Sequence, residues 1–125
     1  MFKSKLPQKQ RVLVVDDEPF VARTLADILQ GSGYDVSCVH STDAAMEFVS
    51  TQCPDVLISD VLMPGISGID LAISVRDKCP NTRVLLISGH AGSIGLLDAV
   101  NKRGYDFELL SKPIRPEFLL QRLSS

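Results

Sequence analysis

Short apolar runs alternate with longer amphipathic stretches along the whole chain, and this alternation limits the possible folds more than any other feature. Apolar runs bounded by turn residues are typical of buried strands, whereas the intervening stretches carry apolar residues at helical spacing. Strands that alternate with helices build a parallel sheet that is covered by helices on both faces. We therefore predict an α/β fold, a doubly wound parallel sheet of five strands with five helices.

Three of the predicted strands are apolar nearly throughout, as central strands covered on both faces must be. They are "VLVV" (12–15), "DVLIS" (55–59) and "VLLIS" (84–88). The segment 34–39 alternates instead, with Tyr34, Val36 and Cys38 on one face, which favours an edge strand. Residues 107–111 are the predicted fifth strand.

The helices are predicted from apolar periodicity and from residues that cap helix ends. They are expected to begin near Pro19, Ser41 or Thr42, Ser67, Ala91 and Pro116. Ser67 followed by Asp70 resembles a capping box. The fourth helix, predicted over 91–103, contains Gly92 and Gly95, and each costs roughly 1 kcal/mol relative to alanine inside a helix. We therefore expect its first turns to be the softest regular structure of the chain.

Composition indicates one globular domain. The 125 residues are 45% hydrophobic and 22% charged, with a net charge of −2, which gives no support for nucleic-acid binding. No apolar run is long enough to cross a bilayer, and the N-terminus lacks the apolar core of a signal peptide. We predict a cytoplasmic domain over residues 11–125 behind an N-terminal tail over residues 1–10, with neither nucleic-acid nor membrane binding.

The cysteines give no sign of a cross-link. Cys38, Cys53 and Cys79 are far apart, odd in number and free of any Cys-x-x-Cys pair. This pattern predicts neither a disulfide framework nor a zinc site. We expect all of them to be reduced, small apolar side chains.

Polar side chains follow most of the predicted strands. In an open parallel sheet, ligands bind outside the carboxyl ends of the strands. Asp16 and Asp17 come directly after the first strand, Asp60 after the third and Lys112 after the fifth, while Ser88 is the last residue of the fourth. Each of these residues alone has an ordinary explanation in a turn, a helix cap or a surface. Together at one edge they predict a site for a hard divalent cation and an anion.

The residue types also indicate the chemistry. Magnesium prefers oxygen ligands in octahedral geometry, and Asp16, Asp17 and Asp60 could supply them together with a backbone carbonyl. A cation would also offset the mutual repulsion of these carboxylates. A carboxylate that becomes an acyl phosphate needs a metal, a lysine and a hydroxyl close by, and Asp60, Lys112 and Ser88 form such a set.

Four motifs in a fixed order carry a family resemblance: "VLVVDDEP", "DVLISDVLMPGISG", "VLLISGHA" and "LLSKPI". From Arg11 to its end, the chain resembles a response-regulator receiver domain of two-component signal transduction. The resemblance implies a flavodoxin-like fold with strand order 2-1-3-4-5. It also implies a cis peptide bond between Lys112 and Pro113, which proline makes affordable at about 1 kcal/mol.

The resemblance assigns roles to individual residues. Asp60 matches the phosphoacceptor, which receives a phosphoryl group from a sensor histidine kinase or a phosphotransfer protein, while Ser88 and Lys112 match residues that contact that group. The implied Mg²⁺ ligands are Asp16, Asp17, Asp60 and the backbone carbonyl of Leu62. Phosphorylated Asp60 is expected to draw Ser88 inward and to move the fourth helix. This movement would change the surface that the fourth helix forms with the fifth strand and fifth helix, and so regulate an output domain or partner protein. A homodimer through the fourth helix, fifth strand and fifth helix is one implied assembly.

One position departs from the family pattern. Leu109 stands where the family usually has Tyr or Phe, and Tyr105 and Phe107 could replace that ring only in a shifted register. This leaves open a receiver-like interaction module that does not switch on phosphorylation. An aspartyl-phosphate phosphohydrolase is a weaker alternative. Such enzymes carry an Asp-x-Asp motif and a cap insertion, whereas Asp16 and Asp17 are adjacent here and the loops are short. We therefore expect no enzymatic function.

Overall fold

The computed structural model describes residues 9–63, 65, 67–89 and 93–124, in which strands and helices alternate strictly. The strands are β1 (Arg11–Val15), β2 (Asp35–Val39), β3 (Val56–Asp60), β4 (Arg83–Ser88) and β5 (Glu108–Ser111). The helices are α1 (Pro19–Gly31), α2 (Thr42–Val49), α3 (Gly68–Lys78), α4 (Ser93–Asn101) and α5 (Pro116–Ser124). Among the described residues, no helix combines the length and the apolar character that a bilayer crossing requires. The predicted tail lies outside the described residues except for residues 9 and 10.

All five strands pair in parallel in the order β2-β1-β3-β4-β5. The predicted α/β class and the implied strand order are therefore confirmed. Because β1 lies between β2 and β3, the strand order reverses there, and a crevice is expected at the carboxyl ends of the strands beside it.

The core consists of two apolar layers, one on each face of the sheet. Val12 and Val14 of β1 pack in the layer that contains the buried residues of α1 and α5, whereas Leu13 and Val15 pack in the layer that contains those of α2, α3 and α4. Successive residues of a strand point to opposite faces, so a strand covered on both sides must be apolar at every position. Burial of each such side chain stabilises the fold by roughly 1.5–3 kcal/mol.

The predicted helix starts agree with the structure wherever the described residues allow a comparison. Ser67 Oγ accepts a hydrogen bond from the N–H of Asp70, and Ser41 Oγ accepts one from the N–H of Ala44. Both side chains satisfy amide groups that have no partner within the helix. The fourth helix ends two residues earlier than predicted, at Asn101, while Ala91 and Gly92 of its predicted start lie outside the described residues.

The prediction of unpaired cysteines is wrong for two of the three. Cys53 and Cys79 form a disulfide with a Cα–Cα distance of 5.7 Å, and Cys38 is a free cysteine. Cys53 lies in the loop after α2 and Cys79 caps the carboxyl end of α3. These two helices pack side by side on the same face of the sheet, which brings together residues that are 26 positions apart in the chain.

Candidate functional site

Strand pairing brings the predicted site residues to one edge of the sheet. The N–H of Asp16 donates to the carbonyl of Val39 at 3.2 Å, and the N–H of Lys112 donates to the carbonyl of Ser88 at 2.9 Å. Asp60 is the last residue of β3 and lies opposite Ile87 of β4. The side chains at the carboxyl ends of β1, β3 and β5 therefore converge at one edge of the sheet, as predicted.

Three carboxylates form a compact cluster at this edge. Asp16, Asp17 and Asp60 each offer one oxygen, and these oxygens lie within 4.8 Å of one another. Asp16 and Asp60 are buried, with 2% and 8% of their surface exposed, whereas Asp17 is exposed, so the cluster is open to solvent on one side. Three carboxylate oxygens at this spacing form a donor set that fits a hard cation such as Mg²⁺.

The electrostatics of Asp16 also fit a cation. Burial raises the pKa of this carboxyl above its ordinary value, and the charges of Asp60 and Asp17 raise it further. The N–H of Glu18, which donates to Asp16 Oδ1 at 2.9 Å, and the ammonium of Lys112 lower this pKa without cancelling the effect of burial. The ionised form of Asp16 is thus held in an unfavourable environment that additional positive charge would relieve.

Lys112 contributes a positive charge directly at Asp60. Its Nζ donates to Asp60 Oδ2 at 3.0 Å. Burial alone would lower the pKa of Lys112, but the hydrogen bond and the charge of Asp60 outweigh it and raise this pKa above its ordinary value. The side chain is therefore an ammonium at neutral pH. The peptide bond from Lys112 to Pro113 is cis, as the resemblance implied.

The other predicted site residues are less directly connected to the carboxylates. The N–H of Leu62 donates to Asp60 Oδ1 at 3.3 Å, while its side chain is half exposed. Ser88 is buried at the end of β4, and its hydroxyl lies 2.8 Å from the hydroxyl of Ser93. The structure thus joins Asp16, Asp17, Asp60 and Lys112 in one cluster, and it links Ser88 to the first residue of α4.

Leu109 occupies the position at which the family resemblance implies an aromatic ring. It pairs with Leu86 in the regular register of β4 and β5, and it packs at the margin of the core. Phe107 is buried, and the hydroxyl of Tyr105 donates to Asp77 of α3 at 2.9 Å. Neither ring therefore takes the place of the missing aromatic residue through a shift of register.

Sequence reasoning missed the role of Gly68. An added Cβ at this residue would lie 1.9 Å from the carbonyl oxygen of Asp60, and the N–H of Gly68 donates to the carbonyl of Val61 at 2.8 Å. The first turn of α3 therefore rests against the backbone that carries Asp60. A glycine directly after the helix cap Ser67 is a signal that could have indicated such a close approach, because glycine disfavours helix formation.

Ser93 was also missed, and the sequence carries no signal for it. A serine in the first turn of a helix is common and is ordinarily explained by capping. Its contact with Ser88 depends on where the start of α4 lies relative to the end of β4.

Comparison with known proteins agrees with this geometry. A family model described as the response regulator receiver domain matches residues 12–124. The transcriptional regulatory protein PgtA of the phosphoglycerate transport system of Salmonella typhimurium is 36% identical over 109 residues, which cover 87% of this chain and 26% of PgtA. The chain thus spans only about a quarter of the length of this relative.

Solved structures are similar over nearly the whole chain. The chemotaxis response regulator CheY4 of Vibrio cholerae has a TM-score of 0.81 and 29% identity, with 93% of this chain and 97% of CheY4 covered. The response regulator TrrA of Thermotoga maritima, solved in complex with Mg²⁺-BeF, has a TM-score of 0.80 and 27% identity, with 92% and 96% covered. Because the family model matches residues 12–124 of the 125 in this chain, the chain belongs to the response regulator receiver domains.

Proposed function

We propose that this domain accepts a phosphoryl group on the carboxylate of Asp60 and, once phosphorylated, presents a changed surface to an output domain or a partner protein. One observation carries the proposal. Three carboxylates lie within 4.8 Å of one another, and the ammonium of Lys112 lies 3.0 Å from Asp60 at the same edge of the sheet. Such a site can hold a cation and an additional anion side by side.

The proposed Mg²⁺ ligands are Asp16, Asp17, Asp60 and the backbone carbonyl of Leu62. The spacing of the three carboxylates supports this choice. The pKa of Asp16, which is raised mainly by burial, supports it as well. When bound, Mg²⁺ would supply positive charge that offsets the negative charge of a transferring phosphoryl group. The similarity to TrrA, which was solved with Mg²⁺-BeF, is a further support.

The chemistry follows from the residues around Asp60. A carboxylate oxygen of Asp60 attacks the phosphorus of a phosphohistidine, the bond between phosphorus and the imidazole nitrogen breaks, and the imidazole leaves with the electron pair. The product is an acyl phosphate on Asp60. Lys112, already 3.0 Å from Asp60, pairs with the additional negative charge, and Ser88 donates a hydrogen bond to the phosphoryl group after a small movement.

The proposed phosphodonor is a sensor histidine kinase or a phosphotransfer protein. An apolar groove beside the acidic cluster supports docking of such a protein, since it is lined by α1 and by the segment after Lys112. Phe20 lies in this groove with 82% of its surface exposed. For the output, α4 and α5 carry the exposed apolar side chains Ile94, Leu96 and Phe118, which support contacts with a partner or a second copy through α4, β5 and α5. The net charge of −2 favours a protein partner over nucleic acid.

Phosphorylation of Asp60 can be tested with acetyl phosphate as the phosphodonor. Wild-type protein is incubated with and without Mg²⁺ and its intact mass is measured. We expect one phosphoryl adduct that requires Mg²⁺ and that is absent from Asp60→Asn. Asp27→Asn, which changes an exposed aspartate on α1, is the matched control and should form the adduct. A wild-type protein that gains no such adduct would refute the proposal.

The position of Leu109 favours a second candidate, an interaction module that does not switch. Partner affinity measured with and without Mg²⁺ and beryllofluoride separates the two functions, because a module without a switch should bind equally well in both states. Rapid turnover of a phosphomonoester would instead indicate a phosphohydrolase. We expect none, because the proposed role of Asp60 is to hold the phosphoryl group as a signal.

A further inference from the structure

The hydroxyls of Ser88 and Ser93 form a buried contact between the end of β4 and the start of α4. Their oxygens are 2.8 Å apart, and only 5% and 4% of the two residues is exposed. A buried hydroxyl that loses its hydrogen bond is costly, because it has already been removed from water. If Ser88 moves, Ser93 must follow it or find a new partner.

The carboxyl end of α4 is held firmly. The side-chain amide of Asn101 donates to the carbonyl of Phe107 and accepts from its N–H, each at 3.0 Å. Phe107 is itself buried, and the guanidinium of Arg76 lies 5.3 Å from the centre of its ring. These contacts attach the last turn of α4 to the segment that leads into β5.

The amino-terminal half of α4 is held much less firmly. Ser93 and Leu97 are its buried residues, while Ile94, Gly95 and Leu96 are exposed. Few apolar contacts and an exposed glycine make this half the easier one to displace. A displacement of Ser93 would therefore move the amino-terminal half of α4, while Asn101 at the other end of the helix stays in place.

Phosphorylation of Asp60 would cause such a displacement. Phosphoryl oxygens accept hydrogen bonds and cannot donate them, so Ser88 must donate its single hydroxyl proton to bind the phosphoryl group. That proton can then no longer be directed to Ser93. Ser93 keeps a hydrogen bond with Ser88 only as the donor, and only if it follows the movement of Ser88.

We propose that Ser93 is the positioning residue of the switch: its hydroxyl holds Ser88 in the unphosphorylated position and passes the movement of Ser88 to the start of α4. This inference rests on the proposed phosphorylation of Asp60. It supplies a route from the site to α4 that does not use an aromatic ring, as the presence of Leu109 requires.

The test compares Ser93→Ala with wild type, with Ser93→Thr, which keeps the hydroxyl, and with Ser74→Ala, which changes an exposed serine on α3. Calorimetric titration with beryllofluoride at saturating Mg²⁺ measures affinity for the activated state. Hydrogen exchange over residues 93–101 measures the response of α4.

We expect Ser93→Ala to bind beryllofluoride about fivefold more tightly than wild type, because a hydrogen bond that favours the resting state has been removed. The change in exchange of α4 that accompanies binding should shrink in the same variant. Ser93→Thr and Ser74→Ala should behave like wild type. A residue needed only for folding would not tighten binding when it is changed.

Two outcomes would overturn the inference, and they are distinguishable. If Asp60 is phosphorylated by acetyl phosphate but Ser93→Ala shows wild-type affinity and a wild-type response of α4, Ser93 has no role in the switch and the proposed function stands. If wild-type protein binds no beryllofluoride and gains no phosphoryl adduct, the proposed function and this inference are both wrong.

Discussion

Replacement of Gly68 by alanine tests how closely α3 must approach the phosphoacceptor strand. The added Cβ would lie 1.9 Å from the carbonyl oxygen of Asp60, 2.8 Å from its carbonyl carbon and 2.9 Å from the Cα of Val61. All of these are backbone atoms, so no side chain can rotate away to make room. Since real Cβ contacts are longer than 3.0 Å, α3 and β3 would have to separate by about 1 Å.

The expected cost combines three terms. Overpacking of this kind destabilises a fold by roughly 1–3 kcal/mol, and the separation also stretches the 2.8 Å hydrogen bond from Gly68 to Val61, worth about 1 kcal/mol. Alanine in place of glycine returns up to about 1 kcal/mol through helix propensity. We therefore expect Gly68→Ala to lower the free energy of unfolding by about 1–3 kcal/mol, a substantial part of the stability of a typical domain.

Urea unfolding of the metal-free protein measures this change, and another helical glycine, Gly95, provides the control. Apart from its own helical turn, Gly95 in α4 has no atom within 4 Å of an added Cβ, so Gly95→Ala should be stabilised by about 0.5–1 kcal/mol. Opposite signs for the same substitution would show that the contact with Asp60 is decisive. If Gly68→Ala is as stable as wild type, the close approach of α3 to β3 is wrong.

Three further predictions concern the disulfide and two carboxylates. Cys53→Ser opens a loop of 26 residues and should lower the free energy of unfolding by about 3.5 kcal/mol without reductant. Cys38→Ser removes a free cysteine and should change the free energy of unfolding little. Equal unfolding midpoints for the two variants would contradict this prediction. Burial raises the pKa of Glu108, but the hydrogen bonds that Arg83 and Arg122 donate outweigh burial. The pKa of Glu108 therefore lies below its ordinary value of 4.5. Glu108→Gln should therefore cost about 2 kcal/mol at neutral pH, and the difference should fade as pH falls below 4.5 through the folded-state pKa; a difference that persists in acid would refute the assignment. Burial raises the pKa of Asp16, so its ionised form opposes folding at neutral pH. Asp16→Asn should therefore stabilise the protein in EDTA, and it should abolish the rise in melting temperature that Mg²⁺ causes in wild type. Thermal unfolding with and without Mg²⁺ measures both effects.

Much of the fold and of the candidate site follows from local patterns in the sequence. The continuous apolar run from Val12 to Val15 predicted a central strand, because both faces of such a strand are buried. Ser67 predicted a helix start, because a hydroxyl can satisfy a free amide one turn later. Asp16, Asp60 and Lys112 could be assigned to one edge because parallel strands end at the same side of a sheet. The order of the strands came from the family resemblance, since the apolar pattern alone does not distinguish one parallel order from another.

The remaining features depend on distances between segments that have no sequence signature. Cys53 and Cys79 pair because α2 and α3 pack side by side, and an odd number of cysteines could not reveal which two would meet. Gly68 matters because α3 approaches β3 to within a distance that excludes a methyl group. Ser93 contacts Ser88 because the start of α4 lies beside the end of β4. Local periodicity sets which face of an element is buried, whereas only tertiary packing sets which atoms on different elements touch.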